Sequence, residues 1–367
     1  MISSRHGGNR QEVAERLGCR PGDLLDASAS LVPFALPWAL RWRLAWNTQA
    51  LRHYPDRRQS GLRAVIAALH GVEPEMVLPG NGAAELFTWA ARDAAAAGIS
   101  KLPAPGFADY GRALATWGGG SRPLPLPLHW DQAFPQPFPA VGGDGGVLWI
   151  TNPHNPTGQL WSRASLEPLL ARHALVIADE AFLPLTPGGE AQSLVPLVAQ
   201  HPNLVVVRSL TKLYAIAGLR LGYAIAAPER LARWAAWRDP WPVNGLAAAL
   251  GEALFADPRS VARWQARVQA WVAAEGPWLA QGLARLPGLE VRPSATNFLL
   301  LRGVDADGGP RSLVPLREAL ERHQRLLLRD CRSFAGLGEA WLRVALQDRS
   351  GNRRLLRALT LETSRFG

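Results

Sequence analysis

The chain has 367 residues, 48% of them hydrophobic, enough to bury a large core in roughly two domains, and no apolar run reaches the ~18 residues that would span a bilayer. Its only cysteines, Cys19 and Cys331, speak for a reducing compartment and against a disulfide framework or a cysteine-built metal site, and the absence of a signal-like apolar start makes the cytoplasm the expected location. The net charge of +10 comes from arginines spread along the chain without a basic block, which disfavours nucleic acid and suits a pocket for a small phosphorylated, carboxylated molecule.

In chain order, the first informative element is Gly80-Asn-Gly82-Ala83-Ala-Glu85, opening a helix-like run from Leu86 to Ala97. Backbone N–H groups at such a helix start suit a phosphate. A plain turn is one alternative, and a dinucleotide fingerprint, lacking its third glycine, is another. Lys101, beside a Ser and a loop-like Pro-Ala-Pro-Gly, reads as a lysine left by chance in an arginine-rich composition. From Arg122-Pro-Leu-Pro to Phe138-Pro-Ala-Val-Gly-Gly the repeated proline forbids helix and predicts an extended edge segment and loop. Three apolar runs follow, Val147–Ile150, Leu175–Ala178 and Leu204–Val207, spaced by about 27 to 30 residues with helix between, the pattern of parallel βαβ units. Toward the end, Val291, Asn297–Leu301 and Leu342–Leu346 read as strands. The expected division is a large domain at 45–245 and a smaller one built from 1–44 and 246–367. The 15 tryptophans are scattered, as expected of fillers of cores and interfaces.

Each of the three central strands ends in polar residues. They are Asn152-Pro-His-Asn155-Pro-Thr-Gly158, then Asp179-Glu180-Ala-Phe182, then Ser209-Leu-Thr-Lys212. Open α/β sheets bind their ligands at the carboxyl ends of parallel strands. Lys212 matters most, because Lys101 and Lys212 are the only lysines among 40 basic residues. A chain that otherwise uses arginine keeps lysine where a primary amine is required, since a guanidinium cannot form an imine. Pyridoxal phosphate needs such a lysine, an acid to keep its ring nitrogen protonated and a donor near its phenolic oxygen. Lys212, Asp179 and Asn155 supply these in turn, and Gly82, Ala83, Ser209 and Arg220 can hold its phosphate. The plain alternatives are a helix N-cap for Asp179 and turn formation for the Asn-Pro pairs.

With those motifs in view, the chain resembles the fold-type I pyridoxal-phosphate enzymes of the aminotransferase class I/II group over nearly its whole length. The resemblance implies an α/β fold, with a large domain carrying a mostly parallel sheet and a smaller α+β domain. It further implies that Phe107, in Pro105-Gly-Phe107-Ala-Asp-Tyr110, stacks on the cofactor ring, and that Arg343, in Trp341-Leu-Arg343, grips a substrate carboxylate. Tyr54, in His53-Tyr54-Pro-Asp56, would reach the cofactor phosphate of a neighbouring subunit, which implies a homodimer with shared active sites.

Within the group the chain is most similar to the L-threonine-O-3-phosphate decarboxylases of cobalamin biosynthesis, and next to the histidinol-phosphate aminotransferases. The segments His6-Gly-Gly-Asn9, Leu25-Asp-Ala-Ser28-Ala-Ser30 and Leu328-Arg329-Asp-Cys331-Arg-Ser-Phe334 carry that likeness, with Phe182 where many transaminases have tyrosine. It implies that Arg329, His6, Ser30 and Asn155 help bind the substrate, with a surface ion pair and a tail histidine as the plain alternatives for the first two. The decarboxylase pattern usually reads Ser-Ala-Asn before a following Asn-Pro. Here Ser30 and then Leu31-Val32-Pro33 lose both amides, so the substrate is less defined than the fold. A non-catalytic relative is the alternative of another class, and intact Lys212, Asp179, Asn155 and Arg343 argue against it.

Overall fold

The computed structural model describes residues 7–130 and 133–366. Twelve strands occur among them: β1 Leu25–Ala27, β2 Val77–Asn81, β3 Ser100–Ala104, β4 Ser121–Pro125, β5 Val147–Thr151, β6 Leu175–Asp179, β7 Leu204–Ser209, β8 Leu221–Ala226, β9 Leu289–Arg292, β10 Phe298–Gly303, β11 Leu326–Asp330 and β12 Trp341–Ala345. Seven form one sheet in the order β2-β8-β7-β6-β5-β3-β4 and five form a second in the order β1-β11-β12-β10-β9. In the larger sheet only β8 runs against its neighbours. The smaller is antiparallel except for the β1 and β11 pair.

The central strands are apolar throughout because both faces of the large sheet are covered. Side chains alternate between those faces, and the alternation is visible in the core. Trp149, Ile177, Val205 and Val207 pack under helices Gly82–Ala97, Asp109–Thr116 and Pro228–Trp237. Leu148, Ile150, Val176, Ala178 and Val206 pack on the opposite side, in a cluster that runs on into the second sheet through Leu299, Leu328 and Val344. Carried to the strand ends, the same period puts Thr151, Asp179 and Ser209 on the first face and Glu180 and Arg208 on the second. Glu180 and Arg208 are buried and ion-paired at 2.7 Å. They cross-link β6 and β7 directly behind Asp179 and Ser209.

The proline-rich stretch behaves as its composition requires, since β4 is an edge strand paired only with β3. One expectation needs correction. Lys101 lies in β3, not a loop; it is buried and its amine donates to the Gly143 carbonyl at 2.5 Å and meets His173 Nε2 at 3.0 Å. Burial, followed by the charge of Arg122, lowers its pKa. The tryptophans divide between core and surface: Trp149, Trp161 and Trp234 are fully buried, whereas Trp38, Trp42 and Trp46 form an exposed row on helix Trp38–Trp46, and Trp117, Trp237 and Trp241 are exposed too. No helix among the described residues is long and apolar enough to cross a membrane.

Candidate active site

A cavity of about 370 Å³ opens at the carboxyl ends of β5, β6 and β7 and extends to the second sheet. Lys212, Asp179, Asn155, Ser209, Arg220, Ala83 and Phe107 all line it, as do Ser30, Arg329 and Arg343 from the other side. The chain brings these together because the strand-end residues share one face and the helix from Gly82 starts above them.

Lys212 sits in the single turn Leu210–Leu213 that follows β7. Burial, then the nearby positive charges of Arg343 and Arg220, lowers its pKa from 10.5 to about 8. An amine so placed is partly neutral near pH 7, the form that attacks a carbonyl. Asp179 at the end of β6 moves the other way, pushed up to about 6 by burial. Hydrogen bonds from Tyr110 and the Ala181 N–H and the charge of Lys212 hold it below the value that burial alone would give. The two Asn-Pro asparagines divide their labour. Asn152 is spent on structure, its side chain exchanging two hydrogen bonds with the Trp161 backbone at 2.8 and 3.0 Å. Asn155 faces the cavity, with its Oδ1 accepting from Arg343 Nη1, so its amide N–H groups point elsewhere.

Groups suited to a phosphate meet where the helix from Gly82 begins. Gly82 begins its helix with φ +72°, and a Cβ there would lie 2.4 Å from Arg220 Nη2, so only glycine lets that guanidinium rest against the helix start. Ser209 Oγ and Thr211 Oγ1 are 2.7 Å apart on the facing turn. Donors, hydroxyls and a cation thus converge as a phosphate requires.

The second sheet contributes an arginine pair. Arg329 on β11 and Arg343 on β12 are directly opposed across the strands, and only 5% and 6% exposed. Arg343 Nη2 donates to the Ser28 carbonyl at 3.2 Å, and Arg329 Nη2 to Ser333 Oγ at 2.5 Å. Burial, and for Arg343 the charge of Arg329, presses both pKa values down. Arg329 is therefore buried and not a surface residue. Ser30 is buried nearby, its carbonyl held by Asn297 at 3.2 Å and its Oγ without a partner. The next segment is tied to the lysine turn by a hydrogen bond from the Val32 N–H to the Lys212 carbonyl at 3.3 Å.

Two predicted residues stand apart. Tyr54 is 79% exposed, stacks on Trp241 at 4.3 Å and does not line the cavity of its own chain. His6 lies outside the described residues. Sequence reading missed Gly7 and Ser28 as lining residues and missed the hydrogen bond of Tyr110 to Asp179. Gly7 and Ser28 fall inside quoted motifs, but nothing local marks them, since a Cβ on Gly7 would meet the Ser28 carbonyl at 2.4 Å only once β1 is folded.

Residues 22–359 match the family described as aminotransferase class I and II. The chain belongs to that family. The cofactor of the family is pyridoxal 5′-phosphate, and the chain has its fold, the fold-type I architecture of pyridoxal-phosphate transferases. Among its relatives, the chain is 36% identical to the threonine-phosphate decarboxylase of Salmonella typhimurium, covering 98% of this chain and 96% of that one. It is 32% identical to histidinol-phosphate aminotransferase 2 of Ralstonia nicotianae, over 91% and 87% of the two chains. The crystal structure of L-threonine-O-3-phosphate decarboxylase from Porphyromonas gingivalis superimposes with a TM-score of 0.77 at 26% identity, over 92% of this chain and 98% of that one. The strand-end groups described above fit the family cofactor: an amine, a carboxylate, an amide and a phosphate cradle share one cavity.

Proposed function

We propose that this protein decarboxylates L-threonine O-3-phosphate to the phosphate ester of 1-amino-2-propanol, a step of cobalamin biosynthesis. The observation that carries this reading is the buried, directly opposed pair Arg329 and Arg343 beside Lys212. Like charges directly across two strands are destabilising, and a substrate bearing both a carboxylate and a phosphate relieves them by charge-assisted, bidentate hydrogen bonds. Bound pyridoxal phosphate supplies an electron sink for the substrate α-carbon.

The residues then have separable tasks. Asp179 holds the proton of the cofactor ring nitrogen, Asn155 donates to the phenolic oxygen, Phe107 packs on the ring, and Gly82, Ala83, Ser209 and Arg220 grip the phosphate. Phe182, edge-on to Phe298 at 5.2 Å, presents a ring with no hydroxyl, which leaves Asn155 as the side-chain donor there. Arg343 takes the substrate carboxylate, while Arg329, Ser30 and His6 take its phosphate. Arg343 would choose the bond that breaks by orienting the carboxylate toward the electron sink that the cofactor would supply. With pyridoxal phosphate bound, the electrons of the broken carboxylate bond would pass to its ring as carbon dioxide leaves, and Lys212, as its ammonium, could donate a proton to the α-carbon.

The same reading includes a homodimer, in which Tyr54 serves the phosphate of the partner site. Its exposure away from its own cavity supports this, as does the row Trp38, Trp42 and Trp46 beside a cavity of about 630 Å³ lined by Arg43, Trp46 and Leu250. The smaller domain, 1–44 with 246–367, would carry both arginines toward the large one.

Likeness to histidinol-phosphate aminotransferases over 91% of the chain favours a second reading, transamination of a phosphorylated amino substrate. One experiment separates them. The protein loaded with pyridoxal phosphate is incubated with L-threonine O-phosphate and the products are weighed by mass spectrometry. Aminopropanol phosphate with carbon dioxide is expected. A keto acid, with the cofactor converted to its amine form, would overturn decarboxylation in favour of transamination.

A further inference from the structure

We infer that Tyr110 is a positioning residue for the chemistry: its hydroxyl holds the Asp179 carboxylate ionised and oriented, so that the proton shared with the cofactor ring stays on the ring nitrogen. The inference rests on the cofactor reading above.

Tyr110 is 1% exposed and belongs to helix Asp109–Thr116, packed among Phe87, Phe107 and Trp149 at centroid distances of 5.2, 5.5 and 5.0 Å. Its hydroxyl donates to Asp179 Oδ2 at 2.5 Å, the length of a charge-assisted O–H···O⁻ bond. The same oxygen lies 2.9 Å from Thr151 Oγ1. A phenol has one proton. Having given it to Asp179, Tyr110 must accept from Thr151, so the chain runs Thr151 to Tyr110 to Asp179 with every proton aimed at the carboxylate. Thr151 and Asp179 are partners in register at the ends of β5 and β6, so one phenol spans both strand ends.

The carboxylate is fixed at both oxygens, since the Ala181 N–H donates to Oδ1 at 2.9 Å. Each oxygen keeps a lone-pair site for the cofactor. The other charged groups acting on Asp179 oppose one another: Lys212 favours the ionised form and Glu180, directed to the opposite face, disfavours it, while burial is the largest influence and favours the neutral acid. Neutral Asp179 would leave the ring nitrogen without its counter-charge and weaken the electron sink. The Tyr110 hydroxyl is the leading protein group that offsets burial.

The test uses Tyr110→Phe, which keeps the ring in its aromatic nest and removes one oxygen, and Thr151→Val, which leaves the Tyr110 donor but removes the group that polarises it. Both are loaded with pyridoxal phosphate labelled at the ring nitrogen, whose magnetic resonance signal reports protonation, and the cofactor dissociation constant is measured across pH. In Tyr110→Phe the carboxyl becomes more basic by about one pKa unit. The ring-nitrogen signal is then expected to move toward the unprotonated position and the dissociation constant to rise about twofold at neutral pH and toward tenfold as the pH falls to about 5, with a smaller shift of the same sign in Thr151→Val. A purely structural tyrosine would change thermal stability but not the ring signal. A ring signal and dissociation constant unchanged in both variants, with the wild-type ring protonated, would overturn the role of Tyr110 alone. A wild-type protein that binds no pyridoxal phosphate through Lys212 would overturn the cofactor reading, and this inference with it.

Discussion

Replacing Gly82 with alanine separates backbone strain from ligand grip. At φ +72° an alanine is held in the left-handed region, at a cost of about 1–2 kcal/mol. That cost is present with or without cofactor, so it appears as lost folding stability. The added Cβ would also lie 2.4 Å from Arg220 Nη2 and 2.9 Å from its Cζ, and because these are the far end of a flexible side chain, the guanidinium moves away. Its displacement removes a charge-assisted hydrogen bond to the cofactor phosphate, about 1.5–3 kcal/mol, equivalent to roughly a 10- to 150-fold loss of affinity. Urea unfolding of the cofactor-free protein measures the first effect and a pyridoxal phosphate titration followed by absorbance measures the second. In an Arg220→Ala background Gly82→Ala should retain its stability cost and lose its effect on affinity, as two residues acting through one contact require. Affinity unchanged within about twofold in the single variant would refute the cradle, because steric displacement of the phosphate cation is the whole of the argument.

The rate at which cofactor-free protein attaches pyridoxal phosphate should rise with pH and level off above a midpoint near 8, the depressed value of Lys212, since only the neutral amine attacks; a midpoint near the ordinary 10.5 would refute the electrostatic account. Lys212→Ala should abolish the attachment and its absorbance change. Asp179→Asn should stabilise the cofactor-free protein at neutral pH. The folded-state pKa of Asp179 lies above its ordinary 3.8, at about 6, so the native state binds the proton more tightly and wild-type stability falls as pH rises between those values. The amide escapes that loss, of up to about 3 kcal/mol, and the two proteins should converge as pH falls toward 4 in urea titrations. Ser30→Ala removes a buried hydroxyl without a protein partner, so unfolding free energy should change by no more than about 0.5 kcal/mol while KM for the phosphorylated substrate rises about 5- to 10-fold; an unchanged KM would place the hydroxyl outside the substrate subsite.

The parts legible in the sequence are those where local pattern and burial agree. β5, β6 and β7 are apolar on both faces and end in polar residues, so composition alone marks where each strand stops and what it presents. β3 is harder, because Pro103 and Pro105 follow Lys101 and suggest a loop. Only Ser100 and Lys101 pair with β5, and the prolines fall beyond that ladder, where a missing N–H is harmless. β11 gives almost no signal either, since a five-residue strand carrying Arg329 and Asp330 looks like surface. Its arginine is tolerated inside because the site, rather than strand propensity, selects it. The bond between Tyr110 and Asp179 spans 69 residues and exists only when helix Asp109–Thr116 lies across the ends of two strands. The tryptophans illustrate the opposite limit, where composition counts them but cannot say that Trp38, Trp42 and Trp46 share an outward face.

The site is assembled against the preferences of its own groups. Lys212 is held partly neutral, Asp179 is harder to ionise than in water, and two arginines face one another across a buried ladder. Each of these costs folding free energy, and on the reading proposed above each would be relieved by a different portion of one ligand set: the cofactor ring nitrogen for Asp179, its carbonyl for Lys212, and the anionic groups of the substrate for Arg329 and Arg343. The opposite face of the same strands shows the contrast. There Glu180 and Arg208 satisfy one another, and Glu190 bonds both Nη atoms of Arg208 at 2.8 and 3.0 Å, so nothing is left for a ligand to complete. One residue of register separates the two faces, and a slip of that size would exchange a pocket that needs ligands for an ion pair that needs none. The Glu180–Arg208 pair, which ties β6 to β7 at that level, therefore protects function by fixing which side chains face the cavity.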